Sequence, residues 1–175
     1  MHLELRQVHN IAETTLIKID RVQKSVVRMQ IRSANKNDAR EIANIIKKHF
    51  EEDYMGFASF DEKYIKEKMK KDEFFVAADN GIRGCLRISF VDVDLAEIRA
   101  LCVDKEFRKK GIAQMLLDVS IKSMKEKSMR KIIARTKADN SDAIKFFENN
   151  KFLQEGYFKE HYRKDIDVVQ LYRFL

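Results

Sequence analysis

Hydrophobic positions change period several times along the chain, and each change marks an element. Leu5, Val8, Ala12, Leu16, Ile19 and Val22 recur at spacings of three and four, which predicts a helix over residues 3 to 24. Val27, Met29 and Ile31 then alternate with Arg28, Gln30 and Arg32, the period of a strand. Asn37 or Asp38 can cap a helix reaching about Phe50, with Ile42, Ile45, Ile46 and Phe50 on its inner face. A connecting segment, Glu51 to Phe60, leads to a second helix from Asp61 to Lys71. Phe74 to Ala78 and Ile82 to Phe90 flank the turn signal Asp79-Asn80-Gly81, the pattern of a hairpin. Glu97 to Val103 reads as another strand, and Gly111 to about Lys127 as a long amphipathic helix with Ile112, Met115, Leu116, Val119 and Met124 inward. Lys131 to Thr136 is a strand, Ser141 to Asn149 a short helix, and Phe152 to Lys159 with Val168 to Phe174 a closing strand pair.

The order is β-α-α-β-β-β-α-β-α-β-β behind an N-terminal helix. It predicts an α/β or α+β fold with a mixed central sheet flanked by helices. The 175 residues suit one domain, divided into a helical N-terminal extension (1–26) and a catalytic-type domain (27–175). The stripe of the extension suits packing on the protein's own body or in a homodimer. Its polar face mixes both charge signs, which argues against a membrane surface.

Composition narrows this picture modestly. With 45% hydrophobic and 36% charged residues a core forms and disorder is not expected. No apolar run reaches the roughly 20 residues that span a bilayer, so no membrane partner is expected. Cys85 and Cys102 both fall in apolar strand-like segments, the usage of a reduced, cytoplasmic protein without disulfides or a metal site. The net charge of +7 permits an acidic ligand, but the basic residues are dispersed and no aromatic-basic motif suggests nucleic acid.

Candidate chemistry concentrates where the strand ending Leu101-Cys102-Val103 meets the turn Arg108-Lys109-Lys110-Gly111-Ile112-Ala113. A helix N-terminus leaves backbone N–H groups without internal partners, at the positive end of the helix dipole. Three cationic side chains stand beside it, so a phosphate or pyrophosphate suits the place. One glycine is too few for a dinucleotide fingerprint, and no Gly-Lys-Ser/Thr follows. The turn instead fits Gln/Arg-x-x-Gly-x-Gly/Ala.

With that turn and the element order around it, the chain resembles the GNAT superfamily of acetyl-coenzyme A-dependent N-acetyltransferases, over residues 27 to 175. The resemblance implies that the amides of Arg108, Lys109, Lys110, Gly111, Ile112 and Ala113 hold the coenzyme A pyrophosphate. It implies also that the pantetheine arm pairs with the backbone of Leu101, Cys102 and Val103, and that acetyl-CoA is the cosubstrate. A second stretch, Asn140 to Phe152, is similar to the family's Asn-x-x-Ala-x-x-Phe/Leu-Tyr-Glu-x-x-Gly-Phe. By that likeness Asn140 caps the helix and reaches the pantetheine arm, and Phe147 stands where the family's tyrosine protonates the departing thiolate. The Phe146-Phe147 pair is expected to face the core on one side and to form a cofactor wall on the other. Lys151 replaces the family's glycine, with Asn150 able to take the left-handed conformation, and Lys105 stands where proline is frequent.

For catalysis the resemblance points to Glu97, at the general-base position of GNAT-type histone acetyltransferases, against the alternative of a salt bridge to Arg99 or a lysine. Simple alternation puts Glu97 on one face with Arg99, Leu101 and Val103. Cys102 is the expected oxyanion donor through its backbone N–H, while its thiol fits a small buried strand residue. With Phe147 lacking a proton, Tyr157, Tyr162 or a water could serve as general acid. The segment Tyr157 to Asp167 is similar to the tail of ribosomal-protein-type N-terminal acetylases, a hint toward a peptide or protein amine. Glu51, Glu52, Asp53 and Tyr54 could draw a cationic substrate. The expected function is acetylation of a primary amine, on a protein or a small molecule; a non-catalytic coenzyme A-binding module is the alternative.

Overall fold

The computed structural model describes residues 12–18, 26–52 and 60–175, with side chains described over 29–50 and 60–175. Eight strands form one sheet: β1 (Ala12–Lys18), β2 (Val26–Ser33), β3 (Glu73–Ala78), β4 (Ile82–Asp92), β5 (Leu95–Val103), β6 (Lys131–Lys137), β7 (Leu153–Arg163) and β8 (Ile166–Phe174). Their spatial order is β1-β2-β3-β4-β5-β6-β8-β7. Every pairing is antiparallel except β5 with β6, which is parallel.

Helices α1 (Ala39–Glu52) and α2 (Glu62–Lys68) cover one face, and α3 (Ile112–Glu126) and α4 (Ser141–Asn149) the other. The central strands are buried on both sides, which is why β3 reads as an unbroken Phe-Phe-Val-Ala-Ala run. Phe75 and Ala77 join Leu86, Ile88, Leu116 and Leu117 under α3, while Phe74 and Val76 join Ile42, Ile46 and Ile65 under α1 and α2. Asn35 starts the first helical segment through a capping box with Asp38, whose carboxylate also binds Arg32 at 2.7 Å. Burial alone would raise the Asp38 carboxyl. The hydrogen bonds from Arg32 and from the Asn35 amide, with the Arg32 charge, outweigh it and hold the carboxyl below its ordinary value.

The predicted N-terminal helix is corrected over Ala12–Lys18. These residues form β1, paired antiparallel with residues 26–32 of β2, and the rest of the predicted helix lies outside the described residues. Thr14, Thr15 and Ile17 supply the reason: β-branched residues disfavour helix, and β2 offers an edge of backbone donors and acceptors that a strand satisfies.

Gly84 matters to the layering. A Cβ there would come within 3.1 Å of the Cys102 carbonyl oxygen and 3.2 Å of both Ile112 and Leu116, tight enough that α3 or β5 would have to give way by a few tenths of an ångström. That contact sets the position of the α3 N-terminus.

Candidate functional site

Two irregularities in β5 create the site. The first is where its partner leaves. The β5–β6 ladder ends at Ile98 opposite Ala134, and β6 continues through Lys137 paired to β8 alone. Ala100 to Val103 therefore keep a ladder only with β4. The Asp104 N–H donates to the Arg83 carbonyl at 2.8 Å, which fixes the phase of that ladder. Alternation then turns the Cys102 amide and carbonyl toward β4 and those of Leu101 and Val103 toward the open side. The expectation that Cys102 supplies a free N–H is thus corrected, since its N–H points into the ladder. Its side chain is buried too, at 1% exposure. Leu101 and Val103 instead present unladdered backbone groups, and the Val103 carbonyl accepts from Arg108 Nε at 3.0 Å.

The second irregularity is a bulge. Arg87 pairs with Ala100 and Ile88 with Ile98, so Arg99 has no partner residue on β4. This extra residue breaks the alternation assumed from sequence. Leu101 and Val103 pack with the α3 core, whereas Glu97 turns to the α1 and α2 side. The face shared by Glu97, Leu101 and Val103 in the sequence reading does not exist. The cause is the inserted Arg99.

On the α1 and α2 side Glu97 lies in a cavity of about 180 Å3 lined by Phe50, Phe60, Tyr64, Arg87, Arg99, Arg135 and Tyr162, among others. Its side chain is 7% exposed, and both carboxylate oxygens are held: Oε2 by Arg99 Nη1 at 2.8 Å and Oε1 by Arg135 Nη1 at 3.2 Å. Burial opposes the charge on Arg99, but the charge and hydrogen bond of Glu97 outweigh it and the guanidinium is held more firmly protonated. Arg87 forms the floor, paired to Asp72 at 2.6 Å and donating to the Tyr64 hydroxyl at 3.2 Å. Phe50 and Phe60 stack at 5.0 Å and form an apolar wall.

Beyond the open edge, Lys105–Phe107 form a single 3-10 turn, and Lys109 (φ 58°) and Gly111 (φ 81°) take left-handed conformations before α3 begins. Ile112, Ala113 and Gln114 occupy the first turn, where helical N–H groups lack internal partners. Lys110 folds back to donate to the Glu106 carbonyl at 2.7 Å and lies 5.2 Å from the Phe107 ring centre, so it braces the turn. Open space surrounds Gly111. A second hollow, of about 220 Å3, sits between α1 and this turn and is lined by Lys48, Lys105 and Arg108.

Asn140 caps α4, accepting from the Ala143 N–H at 3.1 Å. Phe147 is buried at 6% exposure against Phe146 and Phe152, so it belongs to the core. The left-handed residue after α4 is Lys151 (φ 65°), not Asn150, which corrects that expectation. Asn150 instead ties elements together, receiving a bond from Gln114 of α3 at 2.7 Å and donating to the Phe146 carbonyl at 2.8 Å.

Tyr157 and Tyr162 part company. Tyr157 is exposed on β7, and its hydroxyl donates to Asp167. That bond, with the nearby negative charge, raises the Tyr157 hydroxyl above its ordinary value. It does not line the Glu97 cavity, whereas Tyr162 does. Between Phe158 and Arg163 the β7–β8 register slips, and Asp167 accepts the Glu160 amide at 2.8 Å, clamping the irregular segment that carries Tyr162. The side chains of Glu51, Glu52, Asp53 and Tyr54 lie outside the described residues. Sequence reasoning missed Arg87, Arg135 and Tyr64. The basic residue inside the β6 strand, Arg135, was the one available signal.

Known proteins agree with this architecture. An N-acetyltransferase of Chlorobaculum tepidum, itself uncharacterized, is 33% identical over 96 residues, 54% of this chain and 52% of that protein. N-alpha-acetyltransferase 60 of Xenopus tropicalis is 36% identical over 74 residues, 41% of this chain and 31% of that protein. The chain thus spans about half or less of these relatives. Among solved structures, the ribosomal-protein-alanine N-acetyltransferase of Brucella melitensis superimposes with a TM-score of 0.76 at 19% identity, over 83% of this chain and 99% of that one. The Salmonella typhimurium protein yncA, solved with its cofactor acetyl-CoA, has a TM-score of 0.76 at 15% identity, over 84% and 94%. The acetyltransferase (GNAT) family model matches residues 39–152, the span that holds the open β5 edge, the turn into α3 and the Asn140 helix. The chain belongs to the GNAT acetyltransferase family.

Proposed function

We propose that this protein is an acetyl-CoA-dependent N-acetyltransferase that modifies a primary amine. One observation carries the reading: a single strand, β5, presents the unladdered backbone edge of Leu101 and Val103, continues into a cationic helix N-terminus, and bears Glu97 in a cavity at its other end.

Acetyl-coenzyme A fits these residues. Its amide-rich arm matches an edge with unladdered N–H and C=O groups, and its pyrophosphate matches the first-turn amides of α3 with Arg108 and Lys109 beside them. When bound, it supplies a thioester carbonyl and a good thiolate leaving group. Arg108 exchanges its bond to the Val103 carbonyl for the ligand's phosphates, which frees that carbonyl for pairing. The Leu101 N–H is the strand donor available to a carbonyl oxygen.

Glu97 binds the acceptor ammonium and takes its proton, directly or through one water. Its two arginine partners orient the carboxylate and leave further lone-pair positions for this contact. Tyr162, within the same cavity, is the side-chain hydroxyl placed to return a proton, a role that buried Phe147 and surface Tyr157 do not fill. The N-alpha-acetyltransferases among the relatives favour an α-amine of a peptide or protein as the acceptor.

The test is release of free thiol from acetyl-CoA with an amine panel, by the wild type and by Glu97→Gln across pH. Amine-dependent release that falls at least tenfold in Glu97→Gln near neutral pH is expected. Coenzyme A binding without release on any amine would contradict the enzyme reading and favour a regulatory binding module.

A further inference from the structure

The charge of the Glu97 cavity says more about the acceptor. Among the described residues, three guanidinium groups line it, those of Arg87, Arg99 and Arg135, against the carboxylate of Glu97. Arg87 is consumed by Asp72 and the Tyr64 hydroxyl, both already described. Arg99 and Arg135 are not. Arg99 donates one N–H, from Nη1, to Glu97, and its side chain is 43% exposed, leaving Nε and Nη2 available. Arg135 commits Nη1 to Glu97 and Nε to Gln170 at 2.7 Å, leaving Nη2. With Asp72 set against Arg87, two cations face one anion among the described residues of the cavity.

We propose that Arg99 and Arg135 recognise a carboxylate of the acceptor, so that this cavity prefers an amine with a carboxylate nearby, as in an acidic amino acid or an acidic peptide N-terminus. The proposal rests on the acetyltransferase reading above. The ammonium goes to Glu97, and the carboxylate to the guanidinium groups that flank it. Each end of such an acceptor meets an opposite charge, and a carboxylate shared by two guanidiniums makes charge-assisted hydrogen bonds, among the stronger polar contacts proteins form.

The fold supports this use of Arg99. Its place in the cavity comes from the β5 bulge, which inserts one residue close to Glu97 and turns that residue to the cavity side. An arginine needed only to neutralise Glu97 would be redundant with Arg135, which already does so from β6. The same charges disfavour polyamines and lysine-rich acceptors, whose further ammonium groups would face Arg99 and Arg135 after the first reached Glu97. A volume of about 180 Å3 suits one small residue or amino acid.

The experiment compares kcat/KM for thiol release with matched acceptors. One arm uses free aspartate and glutamate against asparaginamide and glutaminamide, which carry no carboxylate. Another uses C-terminally amidated peptides beginning with Asp or Glu against those beginning with Asn or Gln. A third uses spermidine and a peptide beginning with Lys. A preference of about tenfold or more for the acidic member is expected in the first or second arm, and the arm that shows it identifies the source of the carboxylate. In Arg99→Gln and Arg135→Gln, checked for folding by circular dichroism, that ratio should fall toward one, and Arg99→Lys should restore part of it. Equal or better rates with neutral or cationic acceptors would overturn the proposal, as would an acidic preference that survives both glutamine variants. If no amine of any class releases thiol, the acetyltransferase reading itself fails and takes this one with it.

Discussion

The buried ion pair beneath the acceptor cavity gives the sharpest stability prediction. Arg87 Nε donates to Asp72 Oδ2 at 2.7 Å, Nη2 lies 2.6 Å from the same oxygen, and the two side chains are 8% and 9% exposed. The substitution Asp72→Asn keeps the shape and removes the charge, which leaves the Arg87 guanidinium buried with only the Tyr64 hydroxyl at 3.2 Å and a neutral amide. Breaking one partner of a buried pair costs about 3 to 5 kcal/mol. For a chain of this length about 2 to 4 °C is lost per kcal/mol, so thermal unfolding followed by circular dichroism should show Tm falling by roughly 10 °C. The double variant Asp72→Leu with Arg87→Met removes both charges and fills similar volume, and it should recover most of that loss. A single variant within about 3 °C of wild type would refute the reasoning, as would a double variant no better than the single.

Three further outcomes follow from the same geometry. Gly84→Ala forces a Cβ against the Cys102 carbonyl, Ile112 and Leu116, so stability should fall by about 1 to 3 kcal/mol in urea melts and coenzyme A affinity by calorimetry should weaken as α3 moves; unchanged values would contradict it. Asp38 has a folded carboxyl below its unfolded value of about 3.9, so its contribution is present above that pH and is lost as pH falls through the lower folded value. Urea midpoints of wild type and Asp38→Asn should therefore differ at pH 7 and converge toward pH 3, and a gap that widens on acidification would be contrary. Tyr162→Phe should lower kcat severalfold while Tyr157→Phe leaves it near wild type, because only Tyr162 lines the cavity; the reverse order would reassign the proton donor.

Most of the sheet and its helices were readable from period and punctuation because those signals are local. The Asp79-Asn80-Gly81 turn, the start of a helix at Asp61 and the inward stripe of α3 depend on residues a few positions apart, and all three appear, although the Asp61 helix ends at Lys68 instead of Lys71. The turn into α3 was legible for the same reason. The β1 strand was not, since Leu16 and Ile19 fit a helical spacing and the deciding factor was the edge that β2 offers. The Arg99 bulge had no glycine or other local mark, yet it decides which face Glu97 occupies. Arg135 reaches Glu97 through a parallel register 38 residues distant, a pairing that no local pattern encodes. The phase of the β4–β5 ladder, which turned Cys102 inward and Leu101 and Val103 outward, likewise belongs to the pairing and not to either strand alone.

The central claim is that the open edge of β5 and the first turn of α3 together hold acetyl-CoA. Titrating acetyl-CoA into 15N-labelled protein tests it residue by residue. The largest amide shifts are expected on Leu101, Val103 and the stretch from Gly111 to Gln114, with the clamp at Glu160 and Asp167 nearly unmoved. Shifts confined to other surfaces, or none at saturating ligand, would contradict it.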